Sequence, residues 1–160
     1  MEENLASKTR AYRKALQQAL FELNNANYLL RSLCLVAPLC TLLTRETEQR
    51  YRLQVETATR RLLAWWSSLA EQLRGDTTPP KDRLKAFGQY WEEGMRLLTT
   101  LTIPDGDLRK SLQAQIRELI IPPLRSFYTQ HAISLQSTMT KYNIPDLEAV
   151  ERQIDRLFAA

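Results

Sequence analysis

Apolar residues return along this chain at the spacing of α-helices. Leu5, Tyr12, Leu16, Leu20, Leu23, Leu30 and Leu33 share one face when each residue advances by 100°, which predicts a first helix over about 4–33. Tyr51, Val55, Ala58, Leu62, Trp65, Leu69 and Leu73 repeat at intervals of three and four, predicting a second helix over about 45–74, with Trp66 widening its stripe. The connection between them, Cys34 to Thr44, is unusually apolar and is expected to pack as a buried turn or to cover a surface that a longer parent chain would bury, where exposure would signal a partner site. Its moderate length predicts antiparallel pairing of the two helices.

Gly75 to Pro80 is the clearest break. Glycine follows a helix, Thr77 and Thr78 offer polar caps, and a proline suits a first helical position. A third helix over about 80–98 then carries Leu84, Phe87, Trp91, Met95 and Leu98 on its core face. Asp105 is an N-cap candidate for a fourth, over about 105–129, with Asp107 in its first turn where the helix dipole favours negative charge. Leu108, Leu112, Ile116, Leu119 and Ile120 form its apolar stripe. Pro122 and Pro123 delete two backbone donors and predict a kink or restart before Leu124, Phe127 and Tyr128. Beyond His131 the weakly patterned, Ser/Thr-rich stretch 132–142 reads as loop or irregular helix. A last helix over about 145–158 places Leu147, Val150, Ile154, Leu157 and Phe158 on one face. The expected class is all-α: an elongated antiparallel bundle of about five helices in one domain of 160 residues.

Composition supports this class and narrows the function. Four glycines are few for a β-protein, which needs frequent turn residues, and 44% hydrophobic with 25% charged residues is ordinary for a folded protein in water. Cys34 and Cys40 are read as reduced thiols, and His131, the one histidine, gives them no nearby metal-ligand partner. The Met-Glu-Glu-Asn start has no signal-peptide pattern, and the most apolar run, Ser32 to Thr44, is too short to span a bilayer. A soluble cytoplasmic protein is expected. No glycine-rich phosphate loop, metal-spaced cluster or nucleophile–base set can be assembled, so neither an enzyme nor a cofactor is expected.

The net charge of +4 is small for a nucleic-acid binder, and no nucleic-acid partner is expected. It suits weak attraction to anionic lipid or acidic protein. Lys81 and Lys85 share one flank of the third helix and Arg83 lies on the other, beside the break after Arg74. Charge alone reads these as a solvated surface, with Arg96 placed to pair with Glu92.

Five pieces in collinear order carry more information than any one alone: FELNNANYLL from Phe21, KDRLKAFGQYWEEG from Lys81, IPDGDLRKSLQ from Ile103, IRELIIPPLRSFY from Ile116 and KYNIPDLEAVERQIDRLF from Lys141. Together they resemble the C-terminal region of the exocyst component seven family, the seventy-kilodalton subunit of the vesicle-tethering exocyst. The resemblance implies the end of a rod of stacked, cullin-repeat-like helical bundles. It also implies a role in tethering secretory vesicles at the inner face of the plasma membrane. Phosphatidylinositol bisphosphate would be bound through basic residues that fall here on Lys81, Arg83 and Lys85. Other exocyst subunits, a Rho-family GTPase and the actin-nucleating complex are further partners the resemblance implies. The alternative is a pure protein–protein scaffold with no lipid binding.

Overall fold

The apolar stripes become five helices in a computed structural model that describes residues 2–35, 45–75 and 77–159. These are α1 (Glu2–Leu35), α2 (Arg45–Arg74), α3 (Pro80–Leu98), α4 (Gly106–Lys141) and α5 (Leu147–Asp155), and no strand occurs among the described residues. The class is all-α. The expected placements of Leu5 and Tyr12, the apolar connection up to Thr44 and the state of both thiols lie outside the described backbone or side chains.

The chain forms two compact units, 1–63 and 64–160. In the first, Leu16, Ala19, Leu20, Leu23 and Ala26 of α1 are buried, as are Ala58 and Leu62 of α2. Glu22 pairs with Arg61 at 2.5 Å, while a groove joins Leu29 to Leu53. Moving forward along α1 therefore means moving backward along α2, so the pair is antiparallel.

In the second unit the core is aromatic at its centre. Trp66 and Trp91 meet edge to face with centroids 5.4 Å apart, and Phe87 stacks on Trp91 at 5.7 Å. The expected seam through Trp65 is corrected: Trp66 is fully buried and Trp65 only half-buried. Ala58, Leu62, Trp66, Leu69 and Leu73 follow the true 3.6-residue period, which a strict heptad reading misses by one position. Trp65 instead lies over Gly94 of α3, where a Cβ would run into its ring.

Asp105 caps α4, its carboxylate accepting from the Leu108 N–H at 2.8 Å, and Asp146 caps α5 in the same way from Ala149 at 2.7 Å. The threonine caps expected for α3 are not used: Pro79 stands at the N-cap with no side-chain bond, and Pro80 occupies the first turn.

The largest departure concerns α4. Backbone dihedrals stay helical through Pro122 and Pro123 and leave the helical region at His131, with φ −121° and ψ 15°. Proline's fixed φ is itself helical; its costs are the lost donors and the ring clash with the preceding turn. Ile120, Ile121, Pro123, Leu124 and Phe127 are all buried here, and that burial offsets the cost. After His131 the chain is again helical to Lys141, not loop, with Leu135 and Thr138 buried. The α4 and α5 ends are tied together by Gln113, whose amide donates to the Asp155 and Leu157 carbonyls at 3.0 and 2.8 Å, and by an Arg117–Asp155 ion pair. Trp91 Nε1 donates to Gln153 of α5 at 2.5 Å.

Candidate functional site

The three basic residues of the α3 start have three different environments. Lys81 is exposed at the first turn. Arg83, half-buried, turns back toward the end of α2: its Nη1 donates to the Leu73 carbonyl at 3.1 Å and to the Gly75 carbonyl, and its guanidinium lies over the Phe127 ring, 5.1 Å from the centroid. Carbonyls at a helix C-terminus lack intrahelical partners and carry the negative end of the dipole, so a guanidinium satisfies both needs there. Arg83 also lines a groove of about 460 Å³ with Arg74, Phe127 and His131. Its place is that of an architectural clamp between α2, α3 and α4.

Lys85 is half-buried on the other flank, as its wheel position requires. Its Nζ lies 4.4 Å from the centroid of the Tyr142 ring, and Lys141 Nζ reaches the same ring at 5.6 Å. A hydrogen bond with the Lys85 ammonium lowers the Tyr142 phenol below its ordinary pKa. The charges of Lys141 and Lys85 add to that effect, while desolvation and Asp82 oppose it.

Packing explains why these residues meet. Gly88, one turn beyond Lys85, faces Ile144, and a Cβ on Gly88 would stand 3.0 Å from Ile144 Cγ1. The missing side chain lets the turn after α4 settle onto α3. That turn is held at both ends. The Tyr142 N–H donates to Thr138 and the Ile144 N–H to Met139, Asn143 takes a left-handed φ of 50°, and the Tyr128 hydroxyl donates to the Pro145 carbonyl at 2.8 Å. Burial, with a smaller contribution from the Asp146 charge, keeps the Tyr128 phenol protonated well above the ordinary range. Lys141 and Tyr142 were not singled out in the sequence because they lie far from Lys85 along the chain; the KYN run before a proline turn was the one signal available.

Among the described residues, no group of three or more His, Cys, Asp or Glu side chains could hold a metal ion, and no helix is long and apolar enough to cross a membrane. The surface here offers ammonium groups beside an aromatic hydroxyl, donors of a kind that suits an anion.

An all-α helical bundle is the class these features define. The chain belongs to the C-terminal family of the Exo70 exocyst complex subunit, which it matches over residues 1–156. It is 29% identical to exocyst complex component EXO70C1 of Arabidopsis thaliana over 171 aligned positions, covering 99% of this chain and 26% of that protein. Similarity to EXO70A1 of the same plant is 27% identity, with 99% and 28% coverage, and to human exocyst complex component 7 it is 26%, with 97% and 24%. The chain thus spans about a quarter of the length of these relatives.

Proposed function

We propose that this chain is a helical module of an exocyst subunit that works in exocytosis by tethering secretory vesicles, with other exocyst subunits as its partners. Its place is peripheral, at the inner face of the plasma membrane, where the basic start of α3 docks on phosphatidylinositol bisphosphate. The observation that carries this reading is family membership over residues 1–156 together with the solvent-facing Lys81 and the neighbouring Lys85 at one helix start. Each cation near an anionic leaflet contributes about 1 kcal/mol, so the patch alone binds weakly and an assembled complex supplies avidity. Lys81→Glu with Lys85→Glu is expected to lower co-sedimentation with phosphoinositide vesicles at low salt while leaving the helical circular-dichroism spectrum unchanged. Equal binding by this variant rules out lipid docking at this patch.

A second reading, a protein scaffold without lipid binding, draws on the first unit. There a groove of about 430 Å³ is bordered by Phe21, Leu29 and Leu53, which are 67%, 41% and 60% exposed. Loss of binding to other exocyst subunits in Phe21→Glu with Leu53→Glu, with vesicle binding absent in the native chain, would favour it.

A further inference from the structure

We propose that Thr78 is a phosphoacceptor site, modified by a proline-directed protein kinase with a nucleoside triphosphate as phosphate donor, and that the phosphate switches off the positive charge around the start of α3. The acceptor stands on its own observations; its effect on vesicle docking rests on the reading above.

Three observations carry the acceptor. First, Thr78-Pro79-Pro80-Lys81 sets a proline directly after a hydroxyl residue and a base three positions on, and of the seven prolines in the chain Pro79 is the one that follows a serine or threonine. A kinase cleft that offers no acceptor to the N–H after the target hydroxyl favours proline there, because proline has no N–H to leave unpaired. Second, the hydroxyl is available. Thr78 and Lys81 are exposed, and Thr78 is not used as a helix cap, since Pro79 stands at the N-cap with no side-chain bond. Third, the backbone already has the extended form that a kinase cleft threads. Pro79 has φ −53° and ψ 142°, the polyproline II region, and a following proline biases Thr78 the same way. The first turn of α3 closes on the Pro79 carbonyl, which accepts from the Asp82 and Arg83 N–H groups at 3.0 and 3.1 Å; fraying of this helix end lets Lys81 follow Thr78 into the cleft.

In the transfer, Thr78 Oγ1 forms a bond to the γ-phosphorus and the bond from that phosphorus to the β,γ-bridging oxygen breaks. A nucleoside diphosphate leaves, and the hydroxyl proton passes to the carboxylate base of the kinase. Arg74, Lys81, Arg83 and Lys85 against Asp76 and Asp82 give residues 74–85 a charge of +2, which a phosphate of about −2 cancels. Negative charge is favourable at the N-terminal end of a helix dipole, so α3 is kept while its attraction for anions is lost.

The test incubates the full chain with a purified cyclin-dependent kinase and magnesium ATP, and reads incorporation by intact mass and peptide mapping. Thr78→Ala, Thr77→Ala and Pro79→Ala are treated alike, each checked for native circular dichroism, beside a peptide of residues 71–88. One phosphate is expected on Thr78, retained in Thr77→Ala and lost in Thr78→Ala and Pro79→Ala. Absence of phosphate from Thr78 of the folded chain overturns the acceptor, the peptide then telling whether the motif or its setting in the fold is at fault. Undiminished modification of Pro79→Ala overturns it as well. Phosphatidylcholine vesicles containing phosphatidylinositol bisphosphate, at low salt, then probe the switch. The phosphorylated chain is expected to bind about thirtyfold more weakly than the unmodified one, as loss of two unit charges should, with kinase-treated Thr78→Ala unchanged. Equal binding by the phosphorylated chain overturns the switch and leaves the acceptor and the docking reading standing. Absence of binding by the unmodified chain overturns the docking reading and the switch with it, while phosphate on Thr78 still upholds the acceptor.

Discussion

Arg83→Ala removes a guanidinium that three elements share, and the structure gives its cost. Two charge-assisted hydrogen bonds, to the Leu73 and Gly75 carbonyls, are lost at the end of α2, together with the stack on Phe127. A hydrogen bond to a charged group contributes about 1.5–3 kcal/mol net, and a partly exposed cation–π contact about 0.5 kcal/mol. Gly75 is exposed, so water can replace its bond at little loss; the sum comes to about 2–3.5 kcal/mol. For a chain of this size that corresponds to a fall in melting temperature of about 5–10 °C. Tryptophan fluorescence during urea unfolding is the assay, because Trp65, Trp66 and Trp91 all lie in the unit that contains Arg83. Arg83→Lys should recover only the charge–dipole part, about 0.3–1 kcal/mol, since lysine has no planar guanidinium to lie over Phe127 while reaching the Leu73 and Gly75 carbonyls. Lys81→Ala, at an exposed site, should stay within about 0.5 kcal/mol of the native chain. Unfolding of Arg83→Ala at the same urea concentration as Lys81→Ala would refute the clamp.

Gly94→Ala is expected to destabilise by about 1–3 kcal/mol despite alanine's better helix propensity, because its Cβ meets the Trp65 ring; a red shift of the emission maximum would report the displaced indole. Asp105→Ala removes the cap on Leu108 and should cost about 1 kcal/mol in chemical denaturation, with Asp105→Asn retaining most of it. In an alkaline titration followed by tyrosinate absorbance, Tyr142 ionises below the usual value near 10.0 and returns toward it in Lys85→Ala. Tyr128 ionises above the usual value; its phenol pKa is raised in the folded state, so its stabilising contribution is full below pH ~10 and is lost as pH rises further, and Tyr128→Phe removes that dependence.

The helix boundaries that could be read from the sequence are those with local chemical markers. Pro80 opens α3, Asp105 caps α4, and α2 begins and ends where its stripe does. What escaped the sequence depends on partners distant in the chain. Trp66 rather than Trp65 is buried because α3 presents Trp91 to one and bare Gly94 to the other. Pro122 and Pro123 keep helical dihedrals because the surrounding side chains are buried, an energy that local propensity does not contain. The basic cluster was visible as Lys81, Arg83 and Lys85, but not that Arg83 would turn to the α2 carbonyls, nor that a glycine at 88 would admit a distant turn and set Tyr142 beside Lys85.

The break at His131 bears on how this sequence can tolerate change in length. Within a continuous helix, one added residue rotates everything beyond it by about 100° and carries a buried stripe to the surface. Between Leu112 and Phe127, where nearly every turn contributes a buried side chain, such an insertion would turn Leu124 and Phe127 out of the core. At His131 the dihedrals already leave the helix, and the residues that follow, through Lys141, keep their own phase through Leu135 and Thr138. An extra residue there can be absorbed by the irregular backbone, leaving the Lys141–Tyr142 turn seated on α3. Length variation among related chains should therefore gather at this point of α4 and avoid the turns on its N-terminal side.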